Sequence, residues 1–139
     1  MLSSELHKQL ESIQALQKVL KAETACLKEK DFSNLSSILT SKQNLLETIL
    51  NLDKTLSSEE SQTEINTNDD LLALKEEIEK QLQASHKINL INGKLVELSM
   101  KSNKHLMQLI RQAAGTNTVT YNQKGGLSSG SLLGKNIKA

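Results

Sequence analysis

Residues 3–30 read SSELHKQLESIQALQKVLKAETACLKEK, and the apolar spacing within this stretch decides the fold class. Leu6, Ile13, Leu20 and Leu27 recur every seven residues. The residues that widen the same face are Leu10, Leu16 and Val19. A seven-residue apolar repeat is typical of helices that pack side by side as in a coiled coil. The stretch therefore predicts a long amphipathic helix that packs against other helices.

The composition of the chain also favours an all-α protein. Its 139 residues have the length of one small domain. They include no proline and no tryptophan, and Phe32 and Tyr121 are the only aromatic residues. A β-sandwich needs many more aromatic and β-branched residues on its strands. Because Cys26 is the single cysteine, an intramolecular disulfide and a cysteine-rich zinc site are both excluded.

Targeting signals and charge narrow the function classes further. No apolar run approaches the roughly 20 residues of a membrane span, and residues 1–6 lack the pattern of a secretory signal. We therefore expect a cytoplasmic protein without membrane insertion. The segment up to Glu97 holds 11 lysines and 16 acidic residues, whereas the remainder holds six basic residues and no acidic one. These basic residues are too thinly spread to predict a nucleic-acid site.

A second helix is predicted over residues 32–56. Asp31 precedes it and can accept hydrogen bonds from the first turn of a helix. The segments 3–30 and 32–56 form either an antiparallel hairpin or one bent helix, and the start signal at Asp31 favours the hairpin. Lys42 interrupts the apolar stripe of the second helix, and we expect its ammonium to reach water.

Residues 57–67 read SSEESQTEINT and predict a surface loop. A third helix is predicted over 69–111, started by Thr67 and Asp70 at capping-box spacing. Its stripe shifts phase near Ser85. The stripe residues are Leu71, Leu74, Ile78, Leu82, Ile88, Ile91, Leu95, Val96, Leu98, Leu106, Leu109 and Ile110. At about 1.5 Å per residue this helix is about 60 Å long, against about 40 Å for each of the others, so its end is expected to project.

The last segment, residues 113–139, is rich in Gly and Ser and is predicted to be a flexible tail. Residues 1–112 then form an elongated, antiparallel, three-helix, coiled-coil-like bundle. Spaced apolar residues in the tail suit a segment that folds on binding a partner. The alternative is a disordered tail without a function.

Residue types that carry chemistry are few. His7, His86 and His105 have no metal-ligand spacing, and the residues after His86 and His105 lack the Lys and Gly of a histidine phosphotransfer site. Cys26 borders the apolar stripe and is expected to act as a small hydrophobe. We expect no enzyme and no cofactor. Asn89, Asn92 and Gly93 are best explained as a packing notch between helices, with partner binding as the alternative.

The chain resembles the FlgN family of flagellar type III export chaperones. The residues that carry the resemblance are Glu23, Leu27, Asp31 and Leu35, then Ile38, Lys42, Leu45 and Leu46, then Asn89, Asn92, Gly93 and Leu95, then Leu106 and Leu109, and last Thr120-Tyr121-Asn122-Gln123-Lys124-Gly125. The last group is similar to the family's Thr-Tyr-Gly-x-x-Gly signature. Asn122 departs from it, although Asn, like Gly, tolerates a left-handed turn.

The resemblance implies a chaperone that binds the hook–filament junction proteins FlgK and FlgL. It also implies docking on the export gate protein FlhA through Tyr121. An apolar helix end and tail suit such a client, and the expected anchors are Leu106, Leu109, Ile110, Leu127, Leu132, Leu133 and Ile137. Two alternatives remain open: a chaperone for another secretion substrate, and a structural coiled-coil protein that oligomerises through the repeat at positions 6, 13, 20 and 27.

Overall fold

The computed structural model describes residues 2–101, residues 103, 104, 106, 108, 110 and 111, and the pairs 131–132 and 135–136. The helices in chain order are α1 (Leu2–Glu29), α2 (Leu35–Leu56), α3 (Glu59–Thr67) and α4 (Asp69–Met100). Two short strands, β1 (Ser131–Leu132) and β2 (Lys135–Asn136), pair antiparallel, with Ser131 opposite Asn136. The helices confirm the all-α class, and this small hairpin is the β-structure among the described residues.

The three long helices run up, down and up. α1 and α2 run antiparallel. Gln9, early in α1, bonds to Ile49, late in α2, whereas Glu23, late in α1, bonds to Lys42, early in α2. The predicted hairpin of the first two helices is therefore confirmed. α1 and α4 run parallel, because Gln17 bonds to Gln81 and, further along both helices, Glu23 bonds to Asn92.

Buried residues recur at alternating spacings of three and four along every long helix, and we call these three series the seam. In α1 the seam is Leu6, Gln9, Ile13, Leu16, Leu20, Glu23 and Leu27. In α2 it is Leu35, Leu39, Lys42, Leu46, Ile49, Asp53 and Leu56. In α4 it is Leu71, Lys75, Ile78, Leu82, Ser85, Asn89, Asn92 and Val96. This is heptad packing, in which each fully buried Leu or Ile contributes about 1.5–3 kcal/mol.

The seven-residue apolar repeat of α1 lies inside this seam. Leu6, Ile13 and Leu20 are fully buried, and Leu27 is almost so. The predicted apolar face of the first helix is thus confirmed. The same burial leaves the repeat without a surface for oligomerisation, so a coiled-coil oligomer joined through these residues requires the bundle to open.

The prediction of a surface loop over residues 57–67 is wrong, because α3 occupies most of it. Ser58 starts α3, with its hydroxyl accepting from the backbone N–H of Ser61 at 3.2 Å. Ile65 is buried against the core, and Gln62 donates to the backbone oxygen of Leu56 at 2.7 Å. One apolar residue and two polar anchors therefore hold a short helix in a segment whose composition is typical of a loop.

The predicted start signals of the second and third helices lie close to the observed ones but not on them. Asn68, rather than Thr67, caps α4, since its Oδ1 accepts from the N–H groups of Asp70 and Leu71 at 3.0 and 3.2 Å. Asp31 accepts from the Ser33 hydroxyl at 2.7 Å and forms a turn instead of a cap. α2 then begins at Leu35 without a side-chain cap.

α1 ends in a left-handed residue that reverses the chain. Lys30 has φ 57°, and the N–H of Asp31 donates to the carbonyl of Cys26 at 3.1 Å. This bond, from the second residue after the helix to its last turn, is the main feature of a Schellman motif. Lysine occupies the position that glycine usually takes.

The prediction of one continuous helix over 69–111 is wrong in its last part. α4 ends at Met100, and among the following residues Lys104, Leu106, Gln108, Ile110 and Arg111 are helical. Asn103 caps this second piece, since its Oδ1 accepts from the N–H of Leu106 at 3.1 Å. The interruption lets the chain fold back against the end of the bundle.

Candidate functional site

Two of the predicted client anchors, Leu106 and Ile110, are buried in the structure. Leu106 is fully buried and Ile110 nearly so, and both pack with Leu27, Leu35 and Val96 at one end of the bundle. The predicted projecting end is therefore wrong: the apolar residues after α4 cover their own bundle end, because burial there removes them from water. A client reaches Leu106 or Ile110 only after this end opens.

The remaining predicted site residues are only sparsely described. Leu132 lies in β1, opposite Lys135. The residues that lie outside the described ones are Leu109, Tyr121, Leu127, Leu133 and Ile137. Their assignment to client and export-gate binding stays a prediction.

In the C-terminal half of α4 most buried seam positions are polar, and apolar residues of the same half lie at the surface. Ser85, Asn89 and Asn92 take the buried positions. The phase shift predicted near Ser85 is therefore wrong, since the seam continues through polar residues. A second apolar series, Ile88, Ile91, Leu95 and Leu98, runs along α4 beside the buried positions, and we call it the α4 stripe.

The α4 stripe is the most exposed apolar surface among the described residues. Ile91 is 51% exposed and Leu98 is 65% exposed. Ile88 and Leu95 are half-buried and pack against the core. Side chains of this size are seldom left in water as neighbours on one helix face, and such a patch marks an interaction surface.

The α4 stripe lies beside α1. Gln81 precedes Ile88 by seven residues and so occupies the same column of α4. The side chain of Gln17 on α1 donates to the side-chain and backbone oxygens of Gln81, both at 2.9 Å. Thr24, seven residues after Gln17, bonds to Asn92. The half-buried residues of the α4 stripe therefore line the boundary between α1 and α4.

Lysines border the α4 stripe on two sides. On α4 they recur every seven residues and are all exposed: Lys80, Lys87, Lys94 and Lys101. Each exposed stripe residue has one of these lysines four residues before it and another three residues after it. On α1, the exposed Lys21 and Lys28 follow Gln17 and Thr24 by one helical turn. We call these six residues the lysine borders.

A buried polar cluster lies beneath this region of the bundle. The ammonium of Lys42 on α2 is 3.1 Å from Oε1 of Glu23 on α1, and both side chains are fully buried. The amide of Asn92 donates to the same carboxylate oxygen and to the backbone oxygen of Leu20, both at 3.0 Å. Lys42 therefore does not reach water as predicted, whereas a role of Asn92 in packing between helices is confirmed.

Burial sets the direction of two pKa shifts near this cluster. Desolvation lowers the pKa of Lys42, although the charge and the hydrogen bond of Glu23 oppose the shift. Burial raises the pKa of the Cys26 thiol, and the nearby carboxylates, Asp31 first, add to the rise. Cys26 is a half-buried free thiol that packs against the end of the bundle. A raised pKa keeps it protonated at neutral pH, which suits a packing role rather than a nucleophile.

One other surface of the bundle is a weaker candidate for binding. A shallow groove between α1 and α2 has an apolar floor of Ala15, Leu45 and Leu52 and is edged by Lys8 and Glu11. Both leucines are half-buried, and Leu45 packs against the core, so this groove exposes less apolar surface than the α4 stripe does. Among the described residues no group of His, Cys, Asp and Glu is placed to hold a metal ion.

One protein family matches this chain. The sequence model described as FlgN protein covers residues 1–129, which include the bundle, the α4 stripe and the Tyr121 segment. The chain belongs to the FlgN family. Membership favours a role as a flagellar export chaperone.

Searches of curated proteins and of solved structures find no match to this FlgN-family chain. No helix within its described residues is long and apolar enough to cross a membrane.

Sequence reasoning missed the exposed face of this FlgN-family chain. The residues of the α4 stripe fall in the predicted apolar stripe of the third helix because they are apolar and helically spaced, which does not distinguish buried from exposed positions. The signal that separates the two readings is the polar series at positions 85, 89 and 92, which continues the heptad of Leu71, Ile78 and Leu82 without a shift. Keeping one heptad phase along α4 puts Ile91 and Leu98 outside.

Proposed function

We propose that this chain is a cytoplasmic flagellar export chaperone. It binds the hook–filament junction proteins FlgK and FlgL, prevents their premature assembly, and delivers them to the type III export gate. The single observation that carries the proposal is the FlgN family match over residues 1–129. The alternative within the same class is a chaperone for another secretion substrate.

The physical requirement of such a chaperone is a surface that covers an assembly helix and later releases it. An unassembled subunit exposes an amphipathic helix that is meant to pack against its neighbours, and another apolar helix face can cover it. The α4 stripe supports this step, since Ile91 and Leu98 are exposed while the bundle remains closed. Release is easier when only a few side chains anchor the client, because affinity depends on these anchors more than on area.

Delivery requires a second contact, which we assign to Tyr121. A tyrosine offers a flat apolar ring with a polar end, a combination that is common at protein interfaces. The family signature places this residue in the segment after the bundle. Tyr121 is therefore proposed to contact FlhA while the client stays on the chaperone.

An export assay in living cells tests the proposal. Cells that lack this chain should retain FlgK and FlgL inside, in aggregated or degraded form, while export of the hook protein continues. Restoring the chain should restore export of both junction proteins. Normal export of both in its absence would contradict the proposal. Loss of a different exported subunit alone would favour the alternative substrate.

A further inference from the structure

We infer that the α4 stripe and the lysine borders bind one amphipathic helix whose apolar face is edged by acidic residues. This inference rests on the proposed function and adds to it the chemistry of the client segment. The juxtaposition of exposed Ile91 and Leu98 with lysines on both sides carries it.

The apolar part of the surface has the geometry of a helix-binding face. Ile88, Ile91, Leu95 and Leu98 follow one another at spacings of three, four and three residues, which produces a straight line along α4. The half-buried pair lies beside the exposed pair, on the side of α4 that faces α1. Helices that bind an apolar helix face use anchors at matching helical spacings.

The surface has a defined length. In the column that contains Ile91 and Leu98, the residues seven and fourteen positions before Ile91 are Ala84 and Glu77. Glu77 accepts a hydrogen bond from Gln81 at 2.6 Å, so the column becomes polar there. The apolar face therefore extends from Ala84 to Leu98, about 20 Å, which matches roughly four turns of a partner helix.

The charges select the kind of helix. All six lysines of the borders are exposed, and within the described part of the chain no ion pair joins them to an acidic side chain. A partner with Glu or Asp along both edges of its apolar stripe places acids against both borders. Complementary charge of this kind raises the association rate and rejects partners with basic edges.

Two other occupants fit less well. A second copy would bring its own lysines against these lysines, and like charges across an interface are unfavourable. A lipid surface requires an apolar face that can enter the bilayer, usually with Trp or Phe. Here only Ile91 and Leu98 protrude, and the α4 stripe contains no aromatic residue. A protein helix therefore gains more from this face than a membrane does.

The test uses two designed peptides of about three heptads. Both carry the same leucine stripe, one with glutamates and the other with lysines along its edges. Each is titrated by calorimetry into the full chain and into four variants. The variants that change the surface are Ile91→Ser/Leu98→Ser and Lys87→Glu/Lys94→Glu. The controls are Lys54→Glu, an exposed lysine on α2, and Leu45→Ser, in the groove between α1 and α2.

The glutamate-edged peptide should bind the wild-type chain, and added salt should weaken it. Ile91→Ser/Leu98→Ser should weaken it by at least about thirtyfold, as expected for two anchors. Lys87→Glu/Lys94→Glu should reverse the preference, so that the lysine-edged peptide binds better. Both controls should bind like wild type. Circular dichroism of each variant verifies that the helices remain folded.

Three results would overturn the inference: equal binding of both peptides, undiminished binding to Ile91→Ser/Leu98→Ser, or binding to anionic vesicles without binding to either peptide. A parallel titration with FlgK separates this inference from the proposed function. If FlgK binds the wild type and Ile91→Ser/Leu98→Ser equally well, the chaperone function is supported but the α4 stripe is not the surface that binds the client. If the glutamate-edged peptide binds as expected but no junction protein binds, the α4 stripe is a helix-binding surface but its client is not FlgK or FlgL.

Discussion

The ammonium nitrogen of Lys42 lies 3.1 Å from Oε1 of Glu23, and neither side chain reaches solvent. Asn92 donates to the same carboxylate oxygen, so one cluster connects α1, α2 and α4. A buried ion pair adds little net stability, because desolvation of both charges offsets their attraction. A buried polar contact does, however, disfavour every register in which its partners are separated. We expect the cluster to align the three helices.

Breaking the Lys42–Glu23 pair on one side should be more harmful than removing it. Lys42→Met leaves the Glu23 carboxylate buried without its cationic partner. The free energy of unfolding should fall by about 3–5 kcal/mol. The double change Glu23→Leu/Lys42→Met should lie near wild type or above it. Urea unfolding monitored by circular dichroism measures both, and a double variant weaker than the single one would contradict the account.

The cap of α4 is predicted to be Asn68 alone. Asn68→Ala removes the acceptor for the N–H groups of Asp70 and Leu71, and it should cost about 1 kcal/mol of unfolding free energy. Thr67→Ala is the matched control, since Thr67 bonds backwards to the carbonyls of Thr63 and Glu64 within α3. Thermal unfolding compares the two variants. A larger loss from Thr67→Ala would move the cap to the position that the capping-box pattern indicates.

Glycine at position 30 should stabilise the chain. Lys30 occupies the left-handed region, which costs a residue with a side chain roughly 1–2 kcal/mol. Lys30→Gly relieves this strain at some cost in chain entropy, and we expect a net gain of about 0.5–1 kcal/mol. Lys18→Gly, at an exposed position within α1, should instead lose about 1 kcal/mol. Equal losses in both variants, measured by urea unfolding, would show that the turn after α1 is not left-handed.

Leu106 is predicted to stabilise the folded bundle rather than to contact a client. It is fully buried at the end of the bundle, so Leu106→Ala should lower the free energy of unfolding by about 2–5 kcal/mol. Leu98→Ala, at an exposed position, should change it by less than about 0.5 kcal/mol. Thermal unfolding without any partner decides the point. An unchanged melting temperature for Leu106→Ala would return this residue to the role of an exposed client anchor.

Tyr121 is predicted to separate the two contacts of the chaperone. Tyr121→Ala should abolish capture of the cytoplasmic part of FlhA and leave the affinity for FlgK unchanged, because the client is expected on the bundle. Tyr121→Phe is the control, since it keeps the ring and tests the hydroxyl alone. Affinity capture on immobilised FlhA measures the first effect. Normal capture of Tyr121→Ala would exclude Tyr121 as the docking residue.

The sequence was sufficient for the helix class and for the apolar residues of the α1 seam. Leu6, Ile13, Leu20 and Leu27 are all apolar and keep one phase, so periodicity identifies them. It was insufficient where polar residues occupy buried positions. Lys42 and Asn92 lie in the seam because they satisfy Glu23, and a partner on another helix cannot be recognised from local spacing.

The same limitation explains the candidate site. Ile91 and Leu98 belong to the predicted apolar stripe of the third helix, yet the heptad of α4 gives the buried positions to Asn89 and Asn92. Leu106 was predicted to project because a helix was extended through Asn103. α4 instead ends at Met100, Asn103 caps the helical piece that follows, and Leu106 is buried.

Calorimetric titration of the purified chain with the C-terminal helical region of FlgK tests the central claim most directly. The account predicts saturable one-to-one binding with a negative heat-capacity change, since apolar surface is buried in the complex. The complex should be lost with Ile91→Ser/Leu98→Ser. The absence of both heat and a complex at high micromolar concentration, for FlgK and for FlgL, would contradict the assignment of the chain as a junction-protein chaperone.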